Sequence, residues 1–182
     1  MGYTREQVEA AVKAKGYVYF EDTNNKGFDV NIIGIRNSAT GQKVTNAFDD
    51  LLTLSYKDET GAWKYHEWPA TTDPGKKGVM EYHNAAGVAR LVEGQYRGSH
   101  GIGLHQGKYE ALKQAKNVKV YRDANRDLSY DENKIAEGVF GINIHKAGQD
   151  SQWVENWSEG CQVFKRVKDF DVYDTTPVVW SL

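Results

Sequence analysis

The sequence predicts a mainly β domain of the α+β class with a few short helices. Three observations lead there. Short runs rich in Val, Ile, Tyr, Phe and Trp recur between clusters of Gly, Asn, Asp, Ser and Thr, which is the pattern of strands and turns. Helical spacing is confined to brief stretches. Aromatics make up 12% of the chain against 40% apolar residues in all, so a few large rings must fill much of the core, with many Tyr and Trp tips left wet. The length of 182 residues fits one domain, read as a single domain over residues 1–182, with residues 1–20 as a candidate small helical appendage.

In chain order, Thr4-Arg5-Glu6-Gln7 is a capping-box sequence, with Thr4 at the N-cap. Val8, Ala11, Val12 and Lys15 follow at helical spacing, and Gly16 ends the helix. Residues 17–20 read as a strand, Asn24, Asn25 and Gly27 as a turn. Residues 28–36 read as a second strand with Phe28, Val30 and Ile32 on one face. Residues 38–41 form a loop. Residues 48–56 and 63–68 flank Asp58-Glu59-Thr60-Gly61, a hairpin signal, and residues 70–75 (A-T-T-D-P-G) form a turn. Residues 76–93 are weakly patterned. Residues 99–105 (S-H-G-I-G-L-H) read as a loop, or as a strand where backbones approach closely. Residues 109–115 suggest one or two helical turns, residues 118–121 a strand, and residues 123–134 a polar hairpin loop. Residues 139–144 read as a strand leading to His145. Val163, Phe164, Val167 and Phe170 recur at helical spacing after Cys161, which predicts a helix opening at the cysteine.

Net charge is −2, so no global field points to nucleic acid. A single cysteine excludes an internal disulfide and the most specific zinc motifs. Residues 1–20 carry Arg5, Glu6, Glu9, Lys13 and Lys15 and lack the apolar run of a signal peptide. The expectation is therefore synthesis in the cytoplasm; action outside the membrane would need release by other means. No stretch approaches 18 apolar residues, so no membrane span is expected. Nothing in the composition points to an oligomeric state.

The chemistry centres on residues 141–164. Cys161 is either a small buried hydrophobe or a nucleophile. Ser158-Glu159-Gly160 before it is a polar tight turn, and the expected helix start would lower the thiol pKa. His145 is the candidate base, oriented through its second ring nitrogen by a backbone carbonyl, Ser158, Asp123 or Asp150. His100 and His105 are candidates for lining a groove. A zinc site of His105, His145 and Cys161 lacks the short ligand spacing such sites show.

G-I-N-I-H145, followed by Ser158-Glu159-Gly160-Cys161, resembles the signature of the L,D-transpeptidase (YkuD) catalytic domain, a glycine-rich strand ending in His and later S-H-G-C. The turn at residues 70–75 is similar to the T-P-x-G turn that precedes the site in that family. The W-S-x-G-C-Q-V form resembles stand-alone, lysin-like proteins of phages and some bacterial genomes. The resemblance implies a bent β-sandwich without a cofactor. It implies that Cys161 attacks a peptide carbonyl of a peptidoglycan stem and forms a thioester, with His145 as proton carrier. Gly160, Ser158 and Glu159 would shape the site or its oxyanion hole. His105, Tyr96, Trp153 and Trp157 would line the substrate groove. Hydrolysis, as in an endolysin-like peptidase or carboxypeptidase, is expected. Transpeptidation and a non-catalytic wall-binding module remain alternatives. The chain departs from the family pattern at Glu159, where the family has His, and at Val163, where it has Arg; Arg166 or Arg122 would have to replace that arginine.

Asp123-Ala-Asn125-Arg-Asp127-Leu-Ser-Tyr-Asp131 imitates a calcium loop. Leu128 replaces the turn glycine and Lys134 the bidentate Glu, so an acidic hairpin loop whose side chains bond their own backbone is the favoured reading.

Overall fold

A computed structural model describes residues 2–24, 27, 29–37, 43–81, 84–130 and 134–174. Strands make up 35% of it and helices 15%, which establishes the mainly β class with a curled sheet and few short helices. Helix α1 (Arg5–Ala14) begins with the capping box read from the sequence: Thr4 Oγ1 accepts from the Gln7 amide, and Gln7 accepts from the Thr4 amide. Gly16 leaves the helix at φ +75°. The helix lies on the central hairpin, with the Arg5 guanidinium 4.4 Å from the centre of the Trp63 ring.

The larger sheet holds β1 (Asn31–Ile35), β2 (Asp50–Lys57), β3 (Trp63–Thr71), β5 (His100–His105), β6 (Tyr109–Gln114), β9 (Ile144–Lys146) and β10 (Gln162–Phe164), in the order β1-β2-β3-β10-β9-β6-β5. Among the described residues, only β9 and β10 of this sheet pair in parallel. The smaller sheet is β4 (Val88–Leu91), β7 (Val118–Asp123) and β8 (Ile135–Gly138), in the order β4-β7-β8. Helix α2 (Lys76–Glu81) follows β3, and α3 (Val167–Asp174) follows β10. Phe170 and Tyr173 of α3 complete the main core with Leu52, Leu54, Tyr56, Trp68, Leu112, Ile144 and Phe164. The hairpin signal holds: Asp58 Oδ1 accepts from the amides of Thr60 and Ala62 and so closes the β2–β3 turn.

Several expectations are corrected. Residues 17–20 form no strand, because amide side chains replace a ladder: Gln95 bonds both backbone groups of Val18, and Asn31 bonds those of Phe20. The second strand is shorter than expected and starts at Asn31; Val30 and Ile32 do pack on the main core, while Phe28, Asn25 and the loop at residues 38–41 lie outside the described residues. Residues 109–115 are the strand β6 rather than helical turns, since pairing with β5 overrides a short local pattern. The weakly patterned residues 76–93 hold α2 and β4. The strand expected over residues 139–144 begins only at Ile144, and His145 sits at its middle. The helix expected from Cys161 begins at Val167; Cys161 instead enters β10. Val163 and Phe164 alternate between two core clusters, and one apolar run served both periods.

Candidate active site

The β9–β10 register explains why a His and a Cys this far apart in sequence come to lie on adjacent strands. Parallel neighbours need a crossover of a dozen residues or more, and residues 147–161 supply it. Gln162 is level with Ile144 and Val163 with His145, and the Gln162 amide continues the ladder to the Asn143 carbonyl at 2.8 Å. Side chains alternate along strands, so Asn143, His145, Cys161 and Val163 share one face. Across β6 and β5, Tyr109 and His105 face each other and join them: the His105 and His145 rings stack with centroids 4.0 Å apart and planes at 21°.

His145 is 4% exposed. Its Nδ1 lies 2.9 Å from the Lys146 carbonyl, which only accepts, so Nδ1 carries the proton and Nε2 the lone pair. The orienting group is therefore that backbone carbonyl. Ser158, Asp123 and Asp150 are engaged elsewhere: Ser158 donates to the Cys161 carbonyl, Asp123 accepts from its own loop, and Asp150 lies 3.6 Å from Lys165. Burial first, then the neighbouring His105, pushes the His145 pKa down to about 4, so the ring is a neutral base at neutral pH.

The Cys161 thiol donates to the Gly141 carbonyl at 3.3 Å, and its sulfur accepts from the Asn143 amide at 3.4 Å. Burial pushes the thiol up to about 11; the Asn143 amide opposes this and Glu159 adds to it. The expected acidification by a helix N-terminus is thus overturned, since no helix begins there. The site at rest holds a neutral thiol and a neutral imidazole.

The turn before the cysteine is built from contacts that sequence alone does not show. Ser158 is fully buried, its carbonyl accepts from the Gly75 amide at 2.9 Å, and its Oγ accepts from the Gly160 amide at 3.2 Å. That amide is spent inside the turn, so Gly160 shapes the site. It has φ +124°, and a Cβ there would lie 2.6 Å from the Ala89 carbonyl oxygen. Gly160→Ala is expected to cost about 2–3 kcal/mol from strain and displacement, which lowers the melting temperature by about 4–12 °C. A thermal melt checks this, and an unchanged melting temperature contradicts it.

The remaining candidates separate. Glu159 is exposed, and so are Trp153 and Trp157, at 57% and 44%, on the crossover. Asn46 pins this loop, accepting from the Glu155 and Lys76 amides at 2.9 and 2.8 Å. Tyr96 is not free to line a groove: its hydroxyl donates to the Val92 carbonyl at 2.9 Å, and its ring packs with Val118, Val120 and Ile142. His100 bonds the Ile142 carbonyl at 2.6 Å and supports the strand before the site. Val163 is fully buried with Phe48, Ala147 and Val154, and Cys161 packs on them. Neither suggested arginine replaces a charge there. Arg166 binds Asp169 at 2.6 Å, and Arg122 lies over Phe140 and donates to the Gly87 carbonyl.

The acidic loop after β7 spends its oxygens on its own backbone. Asp123 accepts from the Asp127 and Leu128 amides, Asn125 from Asp127, and Asp127 from Ser129. Asp131 lies outside the described residues. Among the described residues, no group of three or more His, Cys, Asp or Glu is placed to hold a metal ion, and no helix is long and apolar enough to cross a membrane.

Sequence reasoning missed Asn143 and Tyr109. Asn143 had a legible signal, since it precedes His145 by two and so shares its face in a strand. Tyr109 had none, because its segment was read as helical. No protein-family model, curated protein or solved structure matches the chain.

Proposed function

We propose that the chain is a cysteine-dependent enzyme acting on peptidoglycan stem peptides, with hydrolysis as the outcome. The observation that carries the chemistry is the placement of Cys161 and His145 on one face of two adjacent parallel strands, with the His145 proton held on Nδ1 by the Lys146 carbonyl. The substrate class is supported by the resemblance of residues 141–164 to the L,D-transpeptidase signature, and the bent sandwich of that family is part of the same reading.

In this reading Cys161 Sγ attacks the peptide carbonyl while its proton passes to His145 Nε2. The tetrahedral intermediate collapses, the C–N bond breaks, and His145 returns the proton to the leaving amine. Water then attacks the thioester, giving its proton to His145, and the thiolate leaves and is reprotonated. An amine in place of water gives cross-linking instead. Because the resting pair is neutral, base assistance is required: a thiol pushed up to about 11 is ionised in only about one molecule in 10⁴ at pH 7.

That requirement sets a pH profile. Alkylation of Cys161 by iodoacetamide is expected to show a plateau bounded by the pKa of His145 near 4 and that of the thiol near 11. In His145→Ala the plateau is lost, and the rate falls about tenfold per pH unit below the thiol pKa. Superimposable wild-type and variant profiles would contradict the assignment of the base.

A second reading, a wall-binding module with an inert thiol, is favoured by one observation, the thiol's hydrogen bond to Gly141 rather than to the base. Incubation with purified sacculi separates the readings. Stem peptides found by mass spectrometry support hydrolysis, new cross-links support transpeptidation, and binding without either product supports the module.

A further inference from the structure

His105 is buried, 8% exposed, at the end of β5. Its ring lies on that of His145, and its own hydrogen bonding can be read through Asn143. Asn143 Oδ1 accepts from the Gln114 amide at 3.0 Å, which turns the Asn143 NH₂ toward His105 Nδ1 at 3.3 Å. His105 Nδ1 must then accept, so its proton is on Nε2. The two stacked imidazoles hold opposite tautomers, one set by Asn143 and the other by the Lys146 carbonyl. A second proton on His105 would oppose the Asn143 NH₂ and place a cation against the ring of His145.

We propose that His105 is a positioning residue for His145: stacked on it and held by Asn143, it disfavours a second proton on the base, whose Nε2 the Lys146 carbonyl leaves as the proton-accepting atom. The inference rests on His145 being the base of the proposed reaction. The charged and titratable groups around the pair fit it. Lys108 and Lys113, on the β5–β6 hairpin, disfavour a charge on His105. Tyr109 stands between the hairpin and β9, its hydroxyl 3.4 Å from His145 Nδ1. Lys146 of β9 lies over Tyr109 and Phe170 and reaches Asp171 of α3 at 3.4 Å. From the β10 side come Cys161, neutral at rest, and exposed Glu159, which acts on the thiol. Burial and the two lysines lower the pKa of His105, which favours the neutral stack at neutral pH.

The test is an NMR titration of the imidazole nitrogens in the wild type, His105→Phe and His105→Asn. Phenylalanine keeps a ring without the acceptor, and asparagine keeps an acceptor near the Nδ1 position without the ring. The expected result is an Nδ1-protonated His145 in the wild type. Its pKa is expected to rise by about one unit or more in His105→Asn and by less in His105→Phe. The acid limb of the alkylation profile should follow, so that the ratio of reactivity at pH 5 to that at pH 8 falls about twofold or more in His105→Asn. A His145 pKa that stays within 0.3 units in both folded variants, or an Nε2-protonated His145 in the wild type, overturns the proposal. The titration reads His145 whether or not the chain releases peptides, so a failure of the proposed function is seen separately, as an ordinary thiol rate in the wild type.

Discussion

Cys161→Ala is expected to abolish release of stem peptides from sacculi, by more than about 10³-fold, while the protein stays folded. The sulfur forms the thioester, and alanine has no atom to replace it. Its structural contacts are few: a hydrogen bond to the Gly141 carbonyl, one from the Asn143 amide, and packing on the cluster around Val163. The melting temperature should therefore move by no more than a few degrees. Cys161→Ser tests the same point more sharply. A hydroxyl keeps the two hydrogen bonds but is a far weaker nucleophile beside a base whose pKa is only about 4. Substantial peptide release by either variant would remove the acyl-enzyme from the mechanism.

Asp73→Ala is expected to be the most damaging substitution away from the thiol, costing about 3–5 kcal/mol and lowering the melting temperature by about 6–20 °C. Asp73 is buried in the turn after β3. It receives the Arg90 guanidinium at 2.6 and 3.3 Å and faces Arg36 at 3.0 Å. Arg90 has no exposed surface, so removing the carboxylate takes away the anion that lies against a buried charge. Replacing both partners, as in Asp73→Ala with Arg90→Met, should recover part of the loss, because a buried pair is worth little against well-packed apolar groups while half a pair is costly. The effect should also reach the site. The same turn carries Gly75, whose amide holds the Ser158 carbonyl, and Ser158 in turn holds the Cys161 carbonyl. Thermal melts together with the alkylation rate of Cys161 check both effects. A melting temperature within 2 °C of the wild type would contradict the electrostatic argument.

Elements whose physics is local were legible in the sequence. The capping box of α1 satisfies its own amides, and the β2–β3 turn is closed by Asp58 within the turn itself. Segments whose backbone partners are distant were misread. Residues 17–20 have strand-like composition, but the side chains of Gln95 and Asn31 take their backbone groups. Residues 109–115 have weak helical spacing, but pairing with β5 and β9 decides them. After Cys161 the apolar spacing fits a helix, yet three residues pair with β9 before the helix starts.

For the pair at the centre of residues 141–164, the order of residues alone supplies the thiol and the imidazole, a connection long enough for a parallel crossover, and a glycine where only glycine fits before the cysteine. The rest comes from folding. Strand order put the two residues on one face of adjacent strands, and a backbone carbonyl fixed the tautomer of His145. Burial, unopposed by any helix N-terminus, raised the thiol and lowered the imidazole. The reason is physical: a residue type carries its chemistry with it, but its protonation state depends on desolvation and on neighbours that only the folded chain brings together.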